Sequence, residues 1–126
     1  MKALIISQRE NLWQGFATAF AAKDCEPCIV ASMDAAVAAI RESAPRLVIM
    51  DAVSLFSADA AANLQESRAA LMSILMANAM VNTAVVSAMD EEEAHDALEG
   101  LGVMAMLGAE PDAAALDIVF DALEQM

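Results

Sequence analysis

The sequence predicts an α/β domain in which five parallel strands form a doubly wound sheet with helices on both faces. Three observations carry this reading. Short apolar runs such as Ala3 to Ile6 and Val103 to Leu107 are bounded by polar or glycine-containing stretches, as strands buried on both faces should be. The segments between the runs place apolar residues at helical spacing, which gives the strand-helix alternation of right-handed crossovers. Finally, Pro45-Arg46-Leu47-Val48-Ile49-Met50-Asp51 sends four large apolar residues into a carboxylate. Asp51 then closes a central strand, at the sheet edge where open parallel folds gather their ligands.

Taken in order, Ala3 to Ile6 is the first strand, and Asn11 to Lys23 a helix with Leu12, Phe16, Ala19 and Phe20 on one face. Cys28 to Ser32 is the second strand, introduced by Pro27, with Cys28 expected to be buried in it. Ser32 or Asp34 can cap a helix over Ala35 to Ser43, whose Val37, Ile40 and Ala44 face inward. Pro45 ends that helix and starts the central strand. Ala52 to Ala58 has no clean period and reads as a loop, and Asp59 to Met80 as one long helix that is apolar around more than one face. Thr83 to Ser87 is the fourth strand. Asp90 and Glu93 make a capping-box-like start to a helix reaching about Glu99, stopped by Gly100 and Gly102. Val103 to Leu107 is the fifth strand, and Pro111-Asp112 opens a last helix with Leu116, Val119, Phe120 and Leu123 in a stripe. With no linker or internal repeat, residues 1–126 read as a single domain.

Composition narrows the function. An apolar fraction of 60% with four Gly and three Pro excludes a disordered chain. No apolar stretch approaches a membrane span, and the N-terminal run stops too soon for a signal-peptide core, so a cytoplasmic protein with no membrane role is expected. The formal net charge is −13. All six basic residues lie at or before Arg68, and beyond it the chain carries eleven carboxylates. Nucleic acid is therefore not an expected partner, since phosphate contacts need cations. The acidity serves solubility or meets a basic partner surface.

The arrangement resembles the receiver domain of two-component response regulators over almost the whole chain. Asp34-Ala35-Ala36-Val37-Ala38-Ala39-Ile40-Arg41-Glu42-Ser43-Ala44-Pro45 leading into Arg46 to Asp51 is similar to that family's second helix and phospho-accepting strand. Val85-Val86-Ser87-Ala88 resembles its fourth-strand end, where a hydroxyl residue contacts the phosphoryl group. The resemblance implies a flavodoxin-like fold of strand order 2-1-3-4-5, a place in phosphorelay signalling rather than enzymatic turnover, Asp51 as phospho-acceptor and Ser87 as phosphoryl contact.

Departures from the family's pattern fall on its chemistry. The acidic pair that joins the acceptor in holding Mg²⁺ is replaced by Ser7 and Gln8, and Glu10 could contribute only through a distorted loop. The family's Lys after the fifth strand matches Ala109, its aromatic reporter matches Met106, and the loop after Asp51 lacks the usual Met-Pro. Phosphoryl transfer asks a protein mainly for positioning and charge stabilisation. The expectation is a pseudo-receiver with neither metal nor cofactor, in which Asp51 is vestigial, hydrogen-bonded to backbone or Ser87, and left without a positive counterpart. A divalent ion there, or a basic side chain reaching in from elsewhere, would overturn that expectation.

Other chemistry is weakly signalled. Cys25-Glu26-Pro27-Cys28 has redox spacing, but it runs into a strand instead of opening a helix. Zinc would need two more soft ligands, and His95 sits on an acidic helix. A nucleotide site would need a glycine-rich turn where the chain has Ser7-Gln8-Arg9-Glu10-Asn11. What remains is contact surface. The acidic faces of the last two helices (Asp90 to Glu93, Asp96, Glu99, Asp117, Asp121, Glu124) suit a basic protein partner. The Met-rich end of the long helix suits a partner or a second copy, as a homodimer through Met72, Met76 and Met80.

Overall fold

Strand β3, Leu47–Asp51, is buried at all of its positions, and the rest of the chain is laid around it. The computed structural model describes residues 1–125, Glu91 by its backbone alone. β1 (Lys2–Ile6), β2 (Glu26–Val30), β4 (Asn82–Val86) and β5 (Val103–Leu107) join β3 in one parallel sheet of order β2-β1-β3-β4-β5. The expected fold class and strand order are thus found. Side chains alternate along each strand, so Ile5, Leu47, Ile49, Ala84 and Val86 enter one core and Leu4, Ile6, Val48, Met50 and Val85 the other.

Each core is roofed by helices whose apolar stripes match it. α1 (Glu10–Gln14), α2 (Ala17–Ala22) and α7 (Ala113–Glu124) bring Trp13, Phe20, Leu116, Val119, Phe120 and Leu123 to the first face, where Phe20 and Phe120 meet edge-on with ring centroids 5.6 Å apart. α3 (Met33–Ser43), α5 (Ala60–Ala77) and α6 (Glu91–Ala97) bring Ala36, Ile40, Ala70, Leu71, Ile74 and Leu98 to the second. None of the described helices is long and apolar enough to cross a membrane.

Several expectations are corrected. The single helix expected over Asn11 to Lys23 is broken into α1 and α2 at Gly15 and Phe16, because a glycine in mid-helix costs about 1 kcal/mol and lets the chain bend so that Trp13 and Phe20 both turn inward. Residues 52–55, expected as loop, form one helical turn, α4 (Ala52–Leu55). α5 ends at Ala77 rather than Met80. Cys28 is exposed, not buried, because β2 is an edge strand with little covering it, a position that also tolerates Pro27. Ala44 is exposed too, in left-handed backbone at the C-cap of α3 (φ 45°). At the start of α6, Asp90 takes the N-cap position but makes no side-chain capping bond, whereas Ser32, Asp59 and Asp112 each accept from a backbone N–H three residues on.

Candidate functional site

The carboxyl edge of the sheet gathers Ser7 just past β1, Asp51 at the end of β3 and Ser87 just past β4, as parallel strands that all end on one side must. Asp51 has a fully buried side chain. A carboxylate so placed demands compensation, and the compensation comes from Arg9. Its Nε donates to Asp51 Oδ2 at 2.8 Å and its Nη2 to Oδ1 at 2.9 Å, a two-pronged pairing that fits the planar guanidinium to the planar carboxylate. Arg9 Nη1 also reaches Glu110 Oε1 at 3.2 Å, tying in the loop between β5 and α7.

Local chemistry aims the arginine. Ser7 Oγ donates to Asp51 Oδ2 at 2.7 Å while accepting from the backbone N–H of Arg9 at 3.0 Å. The hydroxyl bends the chain just past β1 in a short turn of the kind Ser side chains favour. The N–H of Gln8 is held by Ser54 Oγ at 3.0 Å. Arg9 therefore occupies the N-cap of α1, three-quarters buried, with its head over the end of β3.

The electrostatics follow. Burial pushes the Asp51 carboxyl up, but hydrogen bonds from Arg9 and Ser7 together with the Arg9 charge outweigh it and hold the group below the usual carboxylate range. The hydrogen bond to Asp51 raises Arg9 against the opposing effect of its own burial.

This corrects the central expectation for the site. Asp51 is not left without a positive counterpart: a basic side chain does reach in, from three residues beyond β1. Nor is Asp51 bonded to Ser87, whose Oγ instead accepts from the N–H of Met89 at 3.1 Å. Glu10 turns away and accepts from Gln14. Arg9, Glu110 and Ser54 were missed. The signal available for Arg9 was a balance of charge, since a carboxylate on an otherwise apolar buried strand needs a cation and Arg9 is the basic residue nearest the end of a neighbouring strand.

The Mg²⁺ that receiver folds imply does not fit this donor set. Both oxygens of Asp51 are taken by Arg9, and the other two ligand positions hold a hydroxyl already bonded to Asp51 and a neutral amide. Among the described residues no three His, Cys, Asp or Glu side chains converge to hold a metal ion.

The thiols also fail to form a site. Cys25 is buried, and burial raises its thiol above the ordinary range against the opposing pull of the chain's N-terminal charge. The backbone from Cys25 to Cys28 enters β2, so their Cα atoms stand roughly 10 Å apart at about 3.3 Å per residue, beyond the ~7 Å limit for a disulfide. His95 is exposed. Met72, Met76 and Met80 are 50%, 81% and 86% exposed. The described acidic side chains of α6 and α7 face solvent, while that of Glu91 lies outside the described set.

Comparison with solved structures places the fold. A response regulator from Thermotoga maritima superposes with a TM-score of 0.80 at 13% identity, over 98% of this chain and 97% of that one. A CheY-like receiver domain protein from Methanospirillum hungatei gives 0.74 at 13%, over 98% and 94%. The CheY-like protein TadZ of Pseudomonas aeruginosa gives 0.71 at 12%, over 100% and 94%. No family model matches the chain, and no curated protein matches it in sequence. The fold is that of response-regulator receiver domains, and in this chain an internal arginine holds the carboxylate at the end of the third strand.

Proposed function

We propose that this chain is a receiver-fold signalling module that acts through protein contacts, without Mg²⁺-dependent phosphorylation and without enzymatic turnover. Arg9 removes the ground of the pseudo-receiver expectation, a carboxylate without a cation; the observation that carries the reading is instead the paired Arg9–Asp51 contact. A carboxylate attacks phosphorus through a free oxygen lone pair; here Oδ2 accepts from both Arg9 and Ser7, and Oδ1, which accepts from Arg9, keeps one pair inside a fully buried site. A phosphoryl dianion would have to reach that fully buried side chain with Arg9, already shared with Glu110, as the one cation paired with it among the described residues. Two free thiols suit a cytoplasmic setting.

One observation favours a second reading, that of a working phospho-acceptor with Asp51 as nucleophile and Ser87 as phosphoryl contact. Arg9 is a cation beside the acceptor, and such a group could offset part of the incoming charge. It is one cation, however, where the family uses a metal and a lysine.

Incubation with acetyl phosphate and Mg²⁺, read by intact mass, tests the choice. No adduct is expected on the wild-type chain, whereas a stoichiometric adduct that disappears in Asp51→Asn would establish the second reading.

The contact surfaces fall into two kinds. The carboxylates of α6 and α7 suit a basic partner. The face of α5 carrying Met72 and Met76, continued by Met80, suits a second copy, since the stretch from Ala69 to Met89 contains no charged residue in a chain of net charge −13.

A further inference from the structure

Beside the Arg9–Asp51 pair, and separate from it, a cleft of about 500 Å³ opens between the β3–α5 and β4–α6 connections. Its size lies within the range of true binding clefts. Val53, Ala58, Ala60, Ala88 and Met89 supply apolar lining, and Asn63, Ser87, Asp90 and Glu93 the polar groups that matter.

Those polar groups are not equally free. The Asn63 amide is spent on the wall: Nδ2 donates to the carbonyls of Ala52 and Ser57, both at 2.9 Å, and Oδ1 accepts from Ser67 Oγ at 3.3 Å. The cleft is therefore held open by its own hydrogen bonds. Ser87, 6% exposed, uses one oxygen lone pair on the N–H of Met89 and has a second one unspent. Asp90 sits where an N-cap would bond the helix backbone and makes no such bond. Among the described residues neither Asp90 nor Glu93 has a side-chain hydrogen-bond or ion-pair partner. The side-chain groups still available are two carboxylates, which only accept, and a buried hydroxyl that can accept or donate, beside a methyl-rich floor.

We infer that this cleft receives an arginine or lysine side chain from a basic segment of a partner protein, its aliphatic stem over Val53, Ala60 and Met89 and its cationic head between Asp90 and Glu93, with Ser87 beneath. Long cationic side chains bury their stems on apolar surface in this way. Charge complementarity selects the occupant, and continuity selects a segment over a free amine. The negative surface runs on beyond the cleft along α6 through Glu92, Asp96 and Glu99, all exposed, where flanking basic residues would lie. The inference rests on the reading of the chain as a contact module and names one of its partner surfaces.

The test is an NMR titration of the full ¹⁵N-labelled chain with a capped Ala-Arg-Ala-Ala-Arg-Ala peptide and with the same peptide carrying neutral citrulline for arginine. Saturable amide shifts confined to residues 57–63 and 87–93 are expected with arginine and not with citrulline. D90N/E93Q should weaken binding at least tenfold and S87A, which changes no charge, about threefold, while D117N/D121N on α7 should leave it within twofold. The inference is overturned if no shifts appear, if citrulline binds equally, if S87A has no effect, or if D117N/D121N weakens binding as much as D90N/E93Q. Saturation by methylguanidinium within tenfold of the peptide would make the cleft a small-cation site and overturn it as well. Each of these results leaves the phosphodonor experiment unaffected, because that one is read by mass on Asp51.

Discussion

At the scale of single residues, Arg9 decides the character of the site. An ion pair out of water is a poor source of net stability, but removing one partner leaves an uncompensated buried charge, at a cost of about 3–5 kcal/mol. Arg9 keeps some contact with solvent, so Arg9→Gln should cost about 3 kcal/mol, the lower end of that range, by urea denaturation. Adding Asp51→Asn should recover most of the loss, since no charge is then stranded. Equal destabilisation by Arg9→Gln in the Asp51→Asn background would show that the arginine acts through packing alone. The pair also sets a pH dependence of definite sign. Asp51 is held below its ordinary value, so the stability it contributes is complete above the unfolded-state pKa of about 3.9 and is lost as pH falls through the lower folded-state value. The stability gap between wild type and Asp51→Asn should therefore stay flat from neutrality down to about pH 5 and narrow below about pH 4. A gap that widens on acidification would contradict the assignment.

At the scale of elements, scarce cations are spent on helix ends. Arg68 Nη1 donates to the Ala97 carbonyl at 2.7 Å and Arg46 Nη2 to that of Leu123 at 3.2 Å, closing the C-terminal turns of α6 and α7 where the helix dipole also favours positive charge. The end of α3 is less well made. Ala44 holds left-handed backbone at the turn from α3 into β3, a conformation costing an L-residue roughly 1–2 kcal/mol. Ala44→Gly should relieve that strain and, after the entropy glycine loses on folding, stabilise the protein by about 0.5 kcal/mol in denaturant melts. A loss of stability would mean that the methyl group makes contacts outweighing the strain. Gly102 fills the same backbone role without strain before β5, at φ +77°.

At the scale of the whole molecule, charge governs association. Two copies at −13 each repel, so a homodimer has to form where charge is absent, on the surface of Met72, Met76 and Met80. Salt should then strengthen the dimer by screening the repulsion elsewhere, the reverse of its effect on a dimer held by ion pairs. Light scattering should show the dimer fraction rising between 0.05 and about 0.5 M NaCl, with Met76→Glu keeping the chain monomeric throughout. A monomer at every salt and protein concentration would rule the interface out.

The alternation of apolar strands with helical stripes, read along the chain, determined five parallel strands, their approximate limits, both helical layers and the placing of Asp51 at the end of β3, because burial on both faces of a sheet writes itself into local pattern. Where the pattern was weak, at Gly15, Ala52 to Leu55 and the exposed edge strand β2, the elements differ from expectation. The contacts of the candidate site were beyond such reading. That Arg9 meets Asp51, 42 residues away, is a choice among partners distant in sequence, and that Asp90 leaves α6 uncapped while Ser87 accepts from Met89 are choices that residue type alone does not decide. Only the folded chain makes them, because hydrogen bonds and charges answer to distance in space, which no local periodicity records.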